Sequence, residues 1–442
     1  MCYNVTVPYS IFTVRDCMTT EWRPASLIPT TGIKGGQEQE MRATSATLAV
    51  LKAVPEFARS LLKSFGAPVG KIETFVEVPF EASDGRVIRP DGLIRISRGK
   101  RSWVCLVEVK TGKNLLDREQ LENYLDIARV NKFDALVTIS NQFSPAVGVH
   151  PVKVNGNKLR SVKMFHLSWI ALITQAVIQH DHRGISDPDQ AWILEELIKY
   201  LEHPNSGAMQ FDDMGQHWVA IRNSVKDRSL RKSDKGLEEV VDRWIEFNRY
   251  LALQLAKNLG AEVRQVLTTK ERGNSAIRTD SLMNQIESNG CLTGMLRVPD
   301  AVSDIKLVAN LSNRTIESAV TLNAPSEGTP RSRITWLLKQ LRNAPESTRI
   351  DVSFERRSNT VSNTIGLLRD DPIIGLLDDR HINPRRFTVA FPEDMGIKTG
   401  NGQGSFVSSV QLNLDTFYRE VVQHMSPWQQ PAPKLPEAES DA

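Results

Sequence analysis

A short apolar run that ends in charged residues constrains this chain more than any other feature of its sequence. Residues 103–107, Trp-Val-Cys-Leu-Val, predict a strand that is buried on both faces. The run continues directly into Glu108, Val109 and Lys110. Because successive side chains of a strand point to opposite faces, Glu108 and Lys110 share one face while Val109 stays in the core. Unpaired buried charge is costly, so a strand that ends in this way indicates a site.

A third charged side chain comes from the segment before this strand. Residues 88–96 predict another strand, which leads to a turn at residues 97–100. If the two strands pair, Asp91 lies beside Glu108. Adjacent carboxylates raise each other's pKa, and a divalent cation removes that conflict.

The residues after Lys110 predict a helix and a second buried strand. Apolar side chains recur at helical spacing over residues 115–128, and residues 135–139 form an apolar run. Strand, helix and strand in this order predict a right-handed crossover and a partly parallel sheet. Gln120 and Tyr124 lie four residues apart, on one face of the helix, and that face can be oriented toward the charged end of the strand.

These residues together predict a metal-dependent phosphodiesterase site. Mg²⁺ prefers oxygen ligands in an octahedron and keeps several waters for substrate and nucleophile. Asp91, Glu108 and the backbone carbonyl of Val109 would supply part of such a shell. Lys110 would orient or help deprotonate the attacking water and stabilise charge in the transition state.

The order Pro90-Asp91, then Glu108-Val109-Lys110-Thr111-Gly112-Lys113, then Gln120-x-x-x-Tyr124 resembles the PD-(D/E)xK nuclease superfamily. The Gln-x-x-x-Tyr motif is most similar to its RecB-type branch. The resemblance covers roughly residues 37–145 and implies a restriction-endonuclease-like core, in which a mixed sheet is flanked by helices.

The resemblance also implies roles for individual residues and a cofactor. Asp91 and Glu108 would bind Mg²⁺ or Mn²⁺, Lys110 would be the catalytic lysine, and Gln120 and Tyr124 would support the site or contact substrate. Family members often add an acidic residue from the helix before the sheet. Residues 37–65 predict that helix, and either Glu38 or Glu40 near its start would be the additional ligand.

The whole chain is predicted to be an α/β protein in which the nuclease-like core is followed by a helical segment and an α+β domain. The predicted divisions are an N-terminal extension, 1–36; a nuclease-like domain, 37–183; a helical region, 184–290; an α+β accessory domain, 291–426; and a disordered tail, 427–442.

Two details of the accessory domain bear on ligand binding. Residues 407–414 predict a strand and residues 415–424 a final helix, so the glycine-rich loop 396–404 would be a mobile loop without the helix N-terminus that a phosphate site needs. Two basic clusters are candidates for phosphate contacts. One is the helix with Arg331, Arg333, Trp336, Lys339 and Arg342, and the other is the segment 380–386; for both, a solvated basic face is the favoured interpretation.

Composition limits the remaining alternatives. The 442 residues suffice for two or three domains, and the net charge of +3 is too small to indicate a nucleic-acid partner unless the basic groups are local. No apolar run predicts a membrane helix and residues 1–20 do not resemble a signal peptide, although Met18 could be an alternative start. Four scattered cysteines are typical of a reduced, cytoplasmic protein.

The sequence therefore favours a Mg²⁺- or Mn²⁺-dependent nuclease that acts on nucleic acid, with DNA as the expected substrate, in repair, restriction or defence. The alternatives are a catalytically inactive binding module with the same fold and a nuclease subunit that requires a protein partner. The sequence leaves open whether the substrate is DNA or RNA and whether cleavage is endonucleolytic or exonucleolytic. It also leaves open the sequence preference and the oligomeric state.

Overall fold

The computed structural model describes residues 28, 34–81, 85–144, 148–208, 211–376 and 381–430. Most of the predicted N-terminal extension, including Met18, and the tail beyond residue 430 lie outside these ranges, as does Arg380 of the second basic cluster. The chain is a mixed α/β protein with two large sheets. Within the described ranges, none of the helices is both long enough and apolar enough to span a membrane.

The first sheet has five strands and contains antiparallel and parallel pairs in the order β1-β4-β5-β6-β7. Strands β1, β4 and β5 pair antiparallel, whereas β5, β6 and β7 pair parallel. A separate two-stranded ribbon, β2 and β3, precedes β4. The elements of this region are α1 Gly35–Ala53, α2 Pro55–Leu62, β1 Lys71–Val76, β2 Phe80–Glu81, β3 Val87–Ile88, β4 Gly92–Arg98, β5 Arg101–Val109, α3 Arg118–Val130, β6 Ala135–Ser140, β7 Lys163–Ser168 and α4 Trp169–Val177.

Apolar side chains cover both faces of the first sheet. One face, with Val107 and Val109 of β5, packs against α1, α2, α4 and the next helix, α5 Pro188–Glu202. The opposite face, with Leu106 and Leu136, packs against α3. Strand β5 is therefore buried on both sides, as its apolar run predicts, and Glu108 lies on the α3 side.

The segment after α5 is helical and packs against the second sheet. Its elements are α6 Trp218–Lys226, α7 Leu237–Leu259, β8 Arg264–Gln265, α8 Thr269–Gly273 and α9 Ser275–Asn289. Apolar residues of α6, α7 and α9 share one continuous core with the strands that follow. Ile170 and Ile178, in and just after α4, also join this core, so the two halves of the molecule are in direct apolar contact.

The second sheet has seven strands, all antiparallel to their neighbours, in the order β13-β12-β14-β11-β10-β9-β8. Its buried side chains face α7, α9 and the helices between its own strands. The remaining elements are β9 Cys291–Arg297, β10 Ile305–Asn310, β11 Thr315–Asn323, α10 Pro330–Gln340, β12 Arg349–Phe354, β13 Thr360–Thr364, α11 Ile365–Asp370, β14 Pro384–Asp394 and α12 Phe406–Glu420.

The predicted strand at residues 407–414 is wrong, because this segment belongs to helix α12. The alternation of Val410, Leu412 and Leu414 is typical of a strand, but Leu412 is 61% exposed while the other two are buried. Ser405 caps the helix by accepting a hydrogen bond from the Ser408 N–H, and the buried side chains then recur at helical spacing. The glycine-rich loop 396–404 is consequently followed by a helix, and the prediction that it lacks one is also wrong.

Candidate active site

The site lies where β5 ends, and the local structure fixes the direction of its side chains. Glu108 is fully buried, whereas the Lys110 side chain retains 15% of its exposure. The backbone of Lys110 is held on both sides, since its N–H donates to the Ile139 carbonyl at 2.8 Å and its carbonyl accepts from Trp169 Nε1 at 2.9 Å. The lysine is therefore presented from a rigid strand end.

Asp91 lies opposite Glu108, in a bend just before β4 rather than within a continuous strand 88–96. Gly92 pairs with Val107 in the antiparallel ladder, which places Asp91 next to Glu108 at the open end. Asp91 Oδ2 accepts a hydrogen bond of 2.7 Å from the Val109 N–H. A Cβ on Gly92 would come within 2.5 Å of the Leu48 side chain, so the glycine allows helix α1 to approach this strand.

Helix α1 contributes Glu40 and not Glu38. Glu40 Oε1 lies 3.2 Å from Lys110 Nζ, and the Glu40 side chain is only 17% exposed. Glu38 instead accepts hydrogen bonds from the Lys34 N–H and from Arg42, at the start of the same helix. The choice that the sequence leaves open is thus resolved geometrically, because only Glu40 faces the site.

Three carboxyl groups, those of Asp91, Glu108 and Glu40, surround one ammonium group, and the pKa values of Asp91 and Glu108 are raised. Burial, followed by the charge of Asp91, raises the pKa of Glu108 to about 8. Burial also raises the pKa of Asp91, against the effect of the Val109 N–H. Burial opposes the charged form of Lys110, but Glu108, Glu40 and Asp91 outweigh it and raise the lysine pKa. Lys110 therefore remains protonated, 2.6 Å from Glu108 Oε1.

Helix α3 places Gln120 and Tyr124 against the same site. Asp117 caps the helix by accepting a hydrogen bond from the Gln120 N–H at 2.8 Å. Gln120 Nε2 donates to Tyr124 Oη at 2.9 Å, so the two side chains support each other. Burial, and then the Glu108 carboxylate, raise the pKa of Tyr124. The tyrosine is therefore a neutral hydroxyl beside Glu108.

The polar atoms of Glu108 are not satisfied by the protein. Neither oxygen accepts a hydrogen bond of ordinary geometry from the described residues, although Lys110 lies close to one of them, and Thr111 Oγ1 is a second buried orphan. Buried polar groups without partners are rare in native proteins and call for an explanation such as an ion or a ligand. A divalent cation held by Asp91, Glu108 and the Val109 carbonyl fits this set of oxygens.

The remaining ligands of such an ion would have to come from solvent or substrate. In the described part of the chain, no group of three or more histidine, cysteine, aspartate or glutamate side chains is arranged to hold a metal ion. An Mg²⁺ site with two protein carboxylates and several waters is compatible with that finding.

Sequence reasoning missed a hydrogen-bonded chain that adjoins Glu108 in the sheet. Thr138 pairs with Glu108 across β5 and β6, and His166 pairs with Thr138 across β6 and β7. Thr138 Oγ1 lies 2.8 Å from both His150 Nε2 and His166 Nδ1. Only the register of the parallel strands reveals this row.

The protons of this chain can be assigned from its backbone partners. His166 Nε2 donates to the Gln142 carbonyl, and burial lowers the pKa of His166 to about 4, so its Nδ1 accepts from Thr138. His150 Nδ1 lies 3.0 Å from the nitrogen and 3.1 Å from the oxygen of Val152, so these contacts alone do not fix its proton. Because the single hydroxyl proton of Thr138 goes to His166, the assignment consistent with the whole chain is that His150 Nε2 donates to Thr138. Both histidines are therefore neutral, and they connect Gln142 and Val152 to the sheet beside the site.

A second set of contacts holds the backbone after Lys110. Asn141 Nδ2 donates to the carbonyls of Gly112 and Gly207, at 2.9 and 2.8 Å, and the Gly112 N–H donates to Gly207 as well. Gly207 has φ +80°, and a Cβ there would contact Gln39 and Thr111. These bonds join the residues that follow β5, β6 and α5 around the strand end.

In comparisons with known proteins, the chain matches no family model, no curated protein and no solved structure. What the site can do therefore follows from its own geometry and chemistry.

Proposed function

We propose that this chain is a metal-dependent nuclease with a restriction-endonuclease-like core of the PD-(D/E)xK type, hydrolysing phosphodiester bonds, with DNA as the expected substrate. One observation carries the proposal. Asp91 and the fully buried Glu108 are adjacent carboxyl groups at the end of a central strand, and Lys110, 2.6 Å from Glu108 Oε1, has to offset both of them and Glu40 as well. Adjacent buried carboxylates of this kind are costly unless a further cation binds there.

The arrangement of strands supports the proposed fold. The antiparallel pair β4 and β5 supplies the aspartate and the Glu-x-Lys sequence, and helix α3 connects the parallel strands β5 and β6. The charged groups lie at the carboxyl ends of these parallel strands, the edge at which α/β sheets generally bind their ligands.

The roles of the side chains follow from their charges and contacts. Asp91, Glu108 and the Val109 carbonyl would hold the cation, which when bound would polarise the phosphate and supply an activated water. Lys110 is protonated, so it would orient that water and offset the negative charge that accumulates on the phosphoryl group. Glu40 keeps the ammonium in place at 3.2 Å, and the neutral Tyr124 hydroxyl can donate to an oxygen in the site.

One observation favours the alternative of an inactive binding module. The ammonium of Lys110 already lies 2.6 Å from Glu108 and 3.2 Å from Glu40, so it partly neutralises the carboxylates without any metal. A scaffold that has replaced its cation with this ion pair would need no Mg²⁺. The two possibilities differ in whether Mn²⁺ binds.

The decisive experiment combines cleavage with metal binding. The full chain and its Glu108→Gln variant are incubated with linear, circular and single-stranded DNA and with RNA, in Mn²⁺ and then in EDTA, while Mn²⁺ binding is followed by calorimetry. We expect cleavage and Mn²⁺ binding that both require Glu108. Glu38→Gln is the matched control, because Glu38 lies on α1 outside the site. If the wild-type chain neither binds Mn²⁺ nor cleaves, the nuclease assignment is wrong; Mn²⁺ binding without cleavage would point to a subunit that needs a partner.

A further inference from the structure

Five exposed arginines gather at one end of the second sheet, and we call this surface the arginine end. They come from three separate elements: Arg331 in the first turn of α10, Arg356 and Arg357 in the turn between β12 and β13, and Arg385 and Arg386 at the start of β14. Arg333, which the sequence groups with them, is instead buried. The surface is therefore different from the basic helix that the sequence indicates.

Backbone pairing brings the three elements together. Strand β12 pairs with β14 so that Ser353 lies opposite Arg386, and the Glu355 N–H donates to the Asn383 carbonyl at 3.1 Å. Arg333 attaches helix α10 to the same place, because its guanidinium donates to the Pro384 carbonyl at 3.2 Å. The positions of the five arginines are thus set by the sheet and by a buried side chain.

The charges of the arginine end are not neutralised within the described part of the chain. None of its five arginines forms an ion pair there, and Glu355, in the same turn, is paired with Arg333 at 3.5 Å. Arg264 and Arg297, also exposed, each have a carboxylate partner at 2.7 Å, whereas Arg272 and Arg342 are single exposed arginines without an ion pair among the described residues. The arginine end differs from these single residues because it combines five such side chains. A concentration of unpaired guanidinium groups creates a positive field that attracts an extended anion.

Two grooves beside the arginine end each contain a tryptophan. One, of about 320 Å³, is lined by Arg331, Trp336 and Lys339. The other, of about 500 Å³, is lined by Arg386 and Trp428. Arginine forks bind phosphate oxygens bidentately, and partly exposed aromatic rings stack on bases. Phosphates at regular intervals with flat aromatic groups between them are the chemistry of single-stranded nucleic acid.

We propose that the arginine end binds the backbone of single-stranded nucleic acid, with unpaired bases stacking on Trp336 and Trp428. The choice of nucleic acid as the anion rests on the proposed function, whereas the binding itself requires no catalysis. The second sheet would then hold the polymer whose phosphodiester bonds are hydrolysed at the first.

The test measures binding by the full chain in EDTA, where cleavage cannot occur. Fluorescence anisotropy of a labelled single-stranded oligonucleotide is followed over a range of salt concentrations. The triple variant Arg356→Gln, Arg357→Gln, Arg386→Gln removes three charges from exposed positions. We expect its affinity to fall at least roughly tenfold and the slope of log K against log salt to fall by about two, since each phosphate contact to a single strand contributes about 0.7.

A control variant removes the same number of charges elsewhere. Arg98→Gln, Lys100→Gln, Arg101→Gln changes the exposed turn between β4 and β5, away from both the site and the arginine end. We expect this variant to bind like the wild type. Trp336→Leu and Trp428→Leu should weaken binding without changing the salt slope, because stacking releases no counterions.

Three results would overturn the inference. The first is unchanged affinity and salt slope in the arginine variant, and the second is an equal loss of affinity in the control variant. The third is competition by polyglutamate that is as effective as competition by unlabelled oligonucleotide, which would indicate an acidic protein partner. The outcome is separable from that of the proposed function. If the chain cleaves nothing but loses binding with its arginines, the nuclease proposal fails and the inference stands. If it cleaves while the arginine variant binds normally, the inference alone fails.

Discussion

The two sheets of this protein differ in whether their buried polar side chains find hydrogen-bond partners within the protein. At the end of the first sheet, Glu108 is fully buried beside Asp91, and its charged partner is Lys110, 2.6 Å from Oε1 and shared with Glu40. In the second sheet, Ser318 donates to Asn413 at 2.7 Å, and Asn413 donates to the Phe391 carbonyl at 2.9 Å. Buried Arg333 likewise donates to the backbone carbonyls of Ser326 and Gly328, just before α10, and of Pro384 on β14.

Under the proposed function, this difference separates side chains that bind a ligand from side chains that stabilise the fold. A polar group whose partners lie within the protein lowers the free energy of the folded state, and its removal leaves those partners unsatisfied. A group without such partners raises that free energy until a ligand binds. Substitutions in the first sheet's site should therefore affect chemistry more than stability, and substitutions of the satisfied groups in the second sheet should do the reverse.

The largest effect is expected for Glu108→Gln, which should abolish Mn²⁺-dependent cleavage and at the same time stabilise the metal-free protein. Since the pKa of Glu108 is raised to about 8, its contribution to stability is progressively lost as the pH rises from 4.5 toward 8. Without metal at about pH 8, the variant should be more stable by about 2–4 kcal/mol. Urea denaturation in EDTA at several pH values measures this difference. A variant less stable than wild type at every pH would contradict the contrast between the sheets.

Lys110→Met should slow cleavage by roughly 10²–10³-fold, as expected for removal of one group that stabilises charge in the transition state. Single-turnover rates at saturating nucleic acid measure the loss. Lys113→Met is the matched control, because Lys113 is an exposed lysine three residues further along the chain. An equal rate in the Lys110 variant and in this control would remove the assigned role.

The opposite behaviour is expected for Arg333→Met in the second sheet. The variant leaves the carbonyls of Gly328, Ser326 and Pro384 without their donor, so the free energy of unfolding should fall by about 2–3 kcal/mol. The cleavage rate per folded molecule at saturating nucleic acid should be unchanged, because Arg333 does not contact the site of the first sheet, although binding at the arginine end can weaken. Arg331→Met, two residues earlier and exposed, should leave stability as it is. Loss of specific activity at full folding would show that the two regions are not separable in this way.

A smaller effect on activity should distinguish the two acidic residues of α1. Glu40→Gln should lower activity roughly 10–100-fold, the range seen when a group that orients a site residue is removed, because it leaves Lys110 without one of its two partners. Glu38→Gln should change activity little. Comparison of cleavage rates for the pair is sufficient, and equal losses in both variants would contradict the placement of Glu40.

The mildest test concerns the neutral histidines next to the site. The pKa of His166 is lowered from 6.5 to about 4 by burial. Between these pH values the unfolded chain binds a proton at this histidine and the folded chain does not, so the folded state loses stability as the pH falls from 6.5 toward 4. At about pH 5 the loss should be on the order of 2 kcal/mol. His166→Gln should reduce this loss, whereas His182→Gln, at an exposed position, should not. Identical pH profiles for wild type and His166→Gln would show that His166 does not cause the acid sensitivity.

Local sequence patterns predicted most of the elements around the site. The apolar run before Glu108, the helix with Gln120 and Tyr124, and the following strand all correspond to observed elements, because alternation and helical spacing depend on burial alone. The same reasoning failed at residues 407–414, where alternating apolar residues belong to a helix that exposes Leu412. A short apolar pattern is compatible with both periods, and packing against the second sheet selected the helix.

The sequence by itself determined which charged residues end the central strand and share its face, since alternation along β5 requires only local geometry. The tertiary structure alone decided which partners meet them. The approach of α1 selected Glu40 over Glu38, and the register of three parallel strands aligned Thr138 and His166 with Glu108. It also buried Arg333 and gathered the five exposed arginines from three elements. Contacts between residues far apart in the chain depend on register and packing, which no local pattern encodes.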